Sequence, residues 1–165
     1  MIFYRSLDIM RDVAIGLVLE PVYWDDPPDI RIEFNQSVLI NDSVTTARQF
    51  NWLLPATDQN RLSVVFLNKK DQDTVGNLDK AVIIKEISLE GLSYPTFMHC
   101  SRYQPNYSPG YYQYAKENNI TVEPVIHSNY LGFNGEWFFE FTWPTFTWIY
   151  ETETSGCGWI YEKNI

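Results

Sequence analysis

Ile30, Ile32 and Phe34 alternate with Arg31 and Glu33, a period of two that sets one side of an extended segment on a core and the other in water. Segments 38–40, 49–54, 61–67, 81–89 and 121–126 continue in that style. Turn-forming residues separate them, notably Asn41, Asp42 and Ser43, and Thr57, Asp58, Gln59 and Asn60. Trp137, Phe139, Phe141 and Trp143 share one face of a further strand and read as core, while Phe138 interrupts the polar face between Glu136 and Glu140. Asn134 and Gly135 before it form a favoured two-residue hairpin turn. After Pro144, Phe146, Trp148 and Tyr150 alternate once more, and Phe138 and Trp148 are the aromatic residues left over for a contact surface. Short strands at intervals near ten residues, with few helical windows, predict an all-β fold, an antiparallel β-sandwich of jelly-roll type.

Two segments break the pattern. Ile9, Met10, Val13 and Leu17 fall at helical spacing, whereas 13–19 alone reads equally as a buried strand. Residues 1–26 are therefore an N-terminal arm of open type. It is closed off by Pro27 and Pro28, which remove two ladder donors, and the sandwich domain runs over 27–165. Between 93 and 119 periodicity disappears and Tyr and Pro accumulate. This predicts a long ordered loop with one helical turn near 112–117, and a loop of such length is more often functional than idle.

Composition narrows the partners. The 165 residues include 10 Phe, 11 Tyr and 6 Trp, enough for one globular core. Lys and Arg total 12 against 21 Asp and Glu, and the net charge of −9 repels phosphate backbones, which makes nucleic acid a poor partner. The apolar run 13–19 is too short to span a membrane, and the mixed charges of Arg5, Asp8, Arg11 and Asp12 before it argue against a secretory signal. Cys100 and Cys157 lie far apart and outside any CxxC pair, and read as unpaired thiols of a reducing cytosol.

Candidate chemistry lies in two loops. Between the strands ending near Leu67 and starting near Ala81, Asn68, Asp71, Asp73 and Asp79 offer the oxygen ligands that Ca²⁺ takes, though not at EF-hand spacing. The bland alternative is a solvated turn with Lys69, Lys70 and Lys80 partly cancelling its charge. In the second loop Tyr103, Tyr107, Tyr111, Tyr112 and Tyr114 offer flat amphipathic rings, either a platform for a sugar or a protein, or rings packed on the domain's own sheet. Catalysis has little support. His99 adjoins Cys100 in sequence, which is the wrong geometry for a thiol–base pair, and the Glu136/Glu140 pair is ordinary for an exposed strand face. The chain is thus expected to be non-enzymatic.

Leu62 to Lys69, then Asp71, Asp73 and Thr74, then Asp79 to Ile84 and Ile87 to Gly91 resemble the core of two groups. One is the calcium-dependent xylan-binding type of carbohydrate-binding module, which implies a jelly-roll sandwich whose ion also coordinates sugar hydroxyls, with Asn68, Asp73 and Asp79 as ligands. The other comprises small structural proteins of large contractile-tailed phages, whose aromatic tail is similar to residues 130–137. That second resemblance implies a virion protein, assembled in the host cytoplasm as a head decoration or tail or fibre component, that docks on other virion proteins or its own copies and adheres to glycan. The module resemblance implies instead a calcium-dependent binder of cell-surface polysaccharide.

Overall fold

A computed structural model describes residues 11–157. Two antiparallel sheets carry the fold. In the first, β1 (Asp12–Val22) lies between β4 (Arg48–Pro55) and β6 (Ala81–Leu89), and β8 (Tyr130–Leu131) extends the β6 edge. In the second, the order is β3 (Ser37–Ser43), β2 (Asp29–Phe34), β5 (Gln59–Phe66), β9 (Gly135–Thr142) and β7 (Arg102–Pro105). Val13, Ile15, Leu17 and Leu19 of the first sheet and Ile32, Val64, Trp137 and Phe139 of the second belong to one buried cluster, so the predicted β-sandwich is the observed fold. Each such side chain contributes about 1.5–3 kcal/mol by leaving water.

Two short helices at one end extend the core. Phe97 of α1 (Pro95–Cys100) meets Trp148 of α3 (Thr145–Ser155) at 5.7 Å between ring centroids, and both rings rest near Phe139. A third helix, α2 (Pro109–Glu117), starts at Ser108, whose hydroxyl accepts from the Tyr111 amide at 3.2 Å, with Pro109 at the first helical position. Among the described residues no helix is long and apolar enough to cross a membrane.

Several sequence expectations need correction. Residues 12–22 are not a separate arm but an interior strand of the first sheet; Val13, Ile15, Leu17 and Leu19 are buried on one face, and Gly16 is buried with Ala14 and Val18 partly covered on the other, so the segment reads as a nearly continuous apolar run. The part of the arm before residue 11 lies outside the described residues. The alternation of Phe146, Trp148 and Tyr150 is not a strand: in α3 the buried residues are Thr145, Ile149 and Thr152, a helical spacing that the large exposed rings of Phe146 and Tyr150 mask. Segment 121–126 forms only a single bridge, between Ile126 and Tyr103. The long loop over 93–119 contains α1, β7 and α2, and the helical turn expected near 112–117 lies inside α2.

Asn134 and Gly135 make no hairpin, because β8 and β9 belong to different sheets and the chain crosses between them at this point. Gly135 sits there at φ 144, and a Cβ on it would fall on the Gln104 carbonyl oxygen of β7. Phe138 is 6% exposed, capped by the Arg61 guanidinium 3.7 Å above its ring, and Trp148 packs on the core, so neither is a contact surface. Cys100 and Cys157 are joined in a disulfide that ties the end of α1 to the end of α3, with Cα atoms 5.4 Å apart.

The disulfide closes a loop of sequence separation 57. Its reduction is expected to cost about 2–4 kcal/mol of stability, read by thermal melts with and without reductant; two titratable thiols in unfolded, unreduced protein would contradict the pairing. Gly135→Ala is expected to break the start of the β7–β9 pairing and lower stability by about 2 kcal/mol or more, measured by denaturant unfolding.

Candidate functional site

The acidic loop after β5 is built from amide clamps. Asn68 Oδ1 accepts from the Asp29 amide at 2.8 Å and its Nδ2 donates to the Pro27 carbonyl at 3.1 Å, which fixes the loop to the start of β2. The Lys69 amide donates to Asn134 Oδ1 at 2.7 Å, and Asn134 Nδ2 returns a bond to the Lys69 carbonyl at 3.0 Å. That reciprocal pair holds the loop against the crossing between β8 and β9. Next comes a 3₁₀ turn over Asp71–Asp73, in which the Lys70 amide donates to Asp73 Oδ2 at 2.7 Å.

Two lysines sit among the carboxylates. Lys69 Nζ donates to Asp79 Oδ1 and, at 2.7 Å, to the Lys80 carbonyl. Lys80, 2% exposed, lies 2.9 Å from Asp26 Oδ1 and 3.2 Å from Asp73 Oδ2, and donates to the Asn68 carbonyl at 3.3 Å. Desolvation pulls the Lys80 ammonium down, but Asp26 and Asp73 more than offset it and leave its pKa above the usual lysine range. Burial raises the Asp79 carboxyl, yet donation from Lys69, Tyr130 and Thr74 prevails and holds it below the usual range. The hydrogen bond from Lys80 lowers Asp26 likewise.

These contacts answer whether the four predicted ligands fit a calcium ion. The Asn68 side chain is engaged by backbone, Asp73 by the Lys70 amide and Lys80, and Asp79 by Lys69, Thr74 and Tyr130, while Asp71 faces the first turn of α2. No group of three His, Cys, Asp or Glu among the described residues converges on a cation position. The residues present do not fit the ion: ammonium groups stand among the oxygens it would need.

The two loops that the sequence separates meet at one cleft of about 640 Å³, lined by Asp71, Thr74 and Asp79 from the acidic loop, Tyr111 and Tyr114 from α2, and Tyr130 and Phe133 from the segment around β8. Tyr111 packs edge-on against Phe133 at 4.7 Å and lies 6.2 Å from Tyr114, so three rings form a continuous wall. Opposite, Tyr130 donates its phenol to Asp79 Oδ2 at 2.6 Å. Asp71 Oδ2 stands 3.0 Å from where a Cβ on Gly110 would lie, so the first turn of α2 comes close to the acidic loop at this glycine.

Of the tyrosines offered by the sequence, Tyr111 and Tyr114 line the cleft directly. Tyr103 is 1% exposed, its phenol donating to the Phe133 carbonyl and accepting from the Phe133 amide at 3.0 Å, so it supports the wall from behind. Tyr107 stacks on Tyr111 at 5.0 Å and Tyr112 sets its edge on Tyr107, and neither ring lines the cleft; Tyr112 is exposed. Tyr130 and Phe133 were not singled out as ligand contacts; their only sequence signal is an aromatic pair flanking Gly132. Cys100, bound in the disulfide, has no thiolate to offer as a nucleophile.

No protein-family model and no curated protein matches this chain. Among solved structures it is similar to the carbohydrate-binding module vCBM60 in complex with galactobiose, at 13% identity and a TM-score of 0.48 over 76% of this chain and 96% of that one. It is also similar to the selenomethionine form of vCBM60, from work on circular permutation between two families of calcium-dependent carbohydrate-binding modules, at 12% identity and a TM-score of 0.49 over 77% and 89%. The phage resemblance has no counterpart in these comparisons.

Burial lifts the phenols of Tyr103 and Tyr130 above their ordinary value of 10.0, and Lys80 is lifted above 10.5. Such groups stabilise the fold fully below their unfolded pKa and lose that contribution as pH rises through the folded one; Asp26 and Asp79, lowered from 3.8, lose theirs as pH falls through the folded value. Melting temperature is therefore expected to be flat from about pH 5 to 9 and to fall on both sides. Stability that climbs above pH 10 would contradict the assignment.

Proposed function

We propose that the chain is a carbohydrate-binding protein whose site is the cleft between α2, the acidic loop and β8. The observation that carries the reading is the juxtaposition of an aromatic wall, Tyr111, Tyr114 and Phe133, with two carboxylates, Asp71 and Asp79, in one open cleft of about 640 Å³. That volume falls within the roughly 300–1,000 Å³ of small-molecule sites. Sugars present apolar C–H faces and a rim of hydroxyl donors. Rings take the first and carboxylate oxygens accept from the second.

The charges favour an uncharged glycan. A protein of net charge −9 with Asp71 and Asp79 in the cleft repels uronates and phosphates, and the ammonium of Lys69 is already held by Asp79. The role is binding without turnover: a general acid in a glycosidase needs a raised carboxyl pKa, and Asp79 is shifted the other way.

Tyr114 is 53% exposed and can be truncated with little damage to the core. Tyr114→Ala is expected to weaken binding of a neutral oligosaccharide about tenfold or more by calorimetry, with an unchanged circular-dichroism spectrum. Neutral glycans that give no signal with the wild-type protein on an array overturn the reading.

A further inference from the structure

Lys80 Nζ has three N–H donors and three oxygen neighbours, Asp26 Oδ1 at 2.9 Å, Asp73 Oδ2 at 3.2 Å and the Asn68 carbonyl at 3.3 Å. Two carboxylates and a loop carbonyl are the oxygen types a hard cation collects, yet the group at their centre is covalently part of the chain and 2% exposed. The second lysine repeats the arrangement: Lys69 Nζ joins Asp79 to the Lys80 carbonyl. Loop 67–80 is thereby neutralised from within. Its shape depends on an ion that neither dilution nor a chelator removes.

We propose that Lys80 is the resident cation of the acidic loop, occupying the place of a metal ion, so that the native protein takes up no divalent cation there and loss of the ammonium opens that place to one. The oxygen set is retained when the lysine goes. Asp73 stays fixed, since its Oδ2 accepts from the Lys70 amide at 2.7 Å and its carbonyl accepts from Trp24 Nε1 at 2.8 Å. Asp26 is 56% exposed at its side chain and supplies the open side from which an ion enters.

Trp24 also supplies a probe, because an indole next to the vacated place sensitises Tb³⁺ emission. Titrated with Tb³⁺, the full wild-type chain is expected to give no saturable sensitised emission, and it is expected to melt at one temperature in millimolar Ca²⁺ and in EDTA. Lys80→Met is expected to gain saturable emission that Ca²⁺ displaces. Should this variant fail to fold in EDTA, millimolar Ca²⁺ is expected to restore its near-ultraviolet circular dichroism. The proposal is overturned by saturable emission or Ca²⁺-dependent melting of the wild type. It is equally overturned by a folded Lys80→Met that takes up no Tb³⁺, or an unfolded one that Ca²⁺ does not restore. No glycan enters either readout, so the outcome is separate from that of the binding assay.

Discussion

An ammonium group that leaves water loses several kcal/mol of hydration, and Lys80 at the head of β6 is almost wholly enclosed. Its enclosure is tolerable only because Asp26, from the segment before β2, and Asp73, from the turn after β5, converge on it. Two stretches distant in sequence, the segment before β2 and loop 67–80, are thus bound to one charge. Trp24 is drawn into the same knot through the Asp73 carbonyl. Losing a partner leaves the enclosed ammonium uncompensated, so the loop has one arrangement and not several. That arrangement faces Asp71 and Thr74 toward the cleft and buries Asp73.

The sandwich supplies the other half of the cleft by a different means. β8 pairs with β6 over only two residues, after which the chain leaves the first sheet and enters β9 of the second. The crossing is short, and a turn this tight has backbone groups to satisfy. The Tyr103 phenol takes both the amide and the carbonyl of Phe133, and Asn134 exchanges two bonds with Lys69. Phe133 is held between them with its ring against Tyr111. The position of Phe133 in the aromatic wall is therefore set by how the chain changes sheets, through hydrogen bonds on its backbone and ring contacts with Tyr107 and Tyr111.

Strands with one wet face were legible in sequence, because their alternation has a direct physical cause. β6 was read from Ala81 to Leu89, as observed, and β2 from Ile30, Ile32 and Phe34. Where a second influence acts, the pattern misleads. β1 is apolar on both faces, with Gly16 buried beside Ile15 and Leu17 and with Ala14 and Val18 partly buried, so periodicity alone left it undecided between helix and strand. In α3 the residues that pack are Thr145, Trp148, Ile149 and Thr152, a helical spacing masked by the exposed rings of Phe146 and Tyr150. β7 and β8 are too short to carry any period. The disulfide and the cleft are tertiary facts: residue types at Asp71, Asp79 and Tyr111 announced chemistry, but only the fold decides that they face one space while Asn68 and Asp73 turn away.

Exchanging a metal ion for an ammonium changes what the loop can do to a ligand. A metal neutralises its carboxylates and also keeps coordination positions open to a hydroxyl oxygen. Lys80 neutralises them equally well, but its three donors are taken and its nitrogen is enclosed, so nothing bound in the cleft can reach it. Recognition must then come from the groups around the charge: the Asp71 carboxylate, the lone pairs of Asp79 left beside Tyr130 and Thr74, and the faces of Tyr111 and Tyr114. On the proposed reading, a cleft organised by an internal lysine would hold its ligand through ring faces and carboxylate acceptors and not through the buried charge.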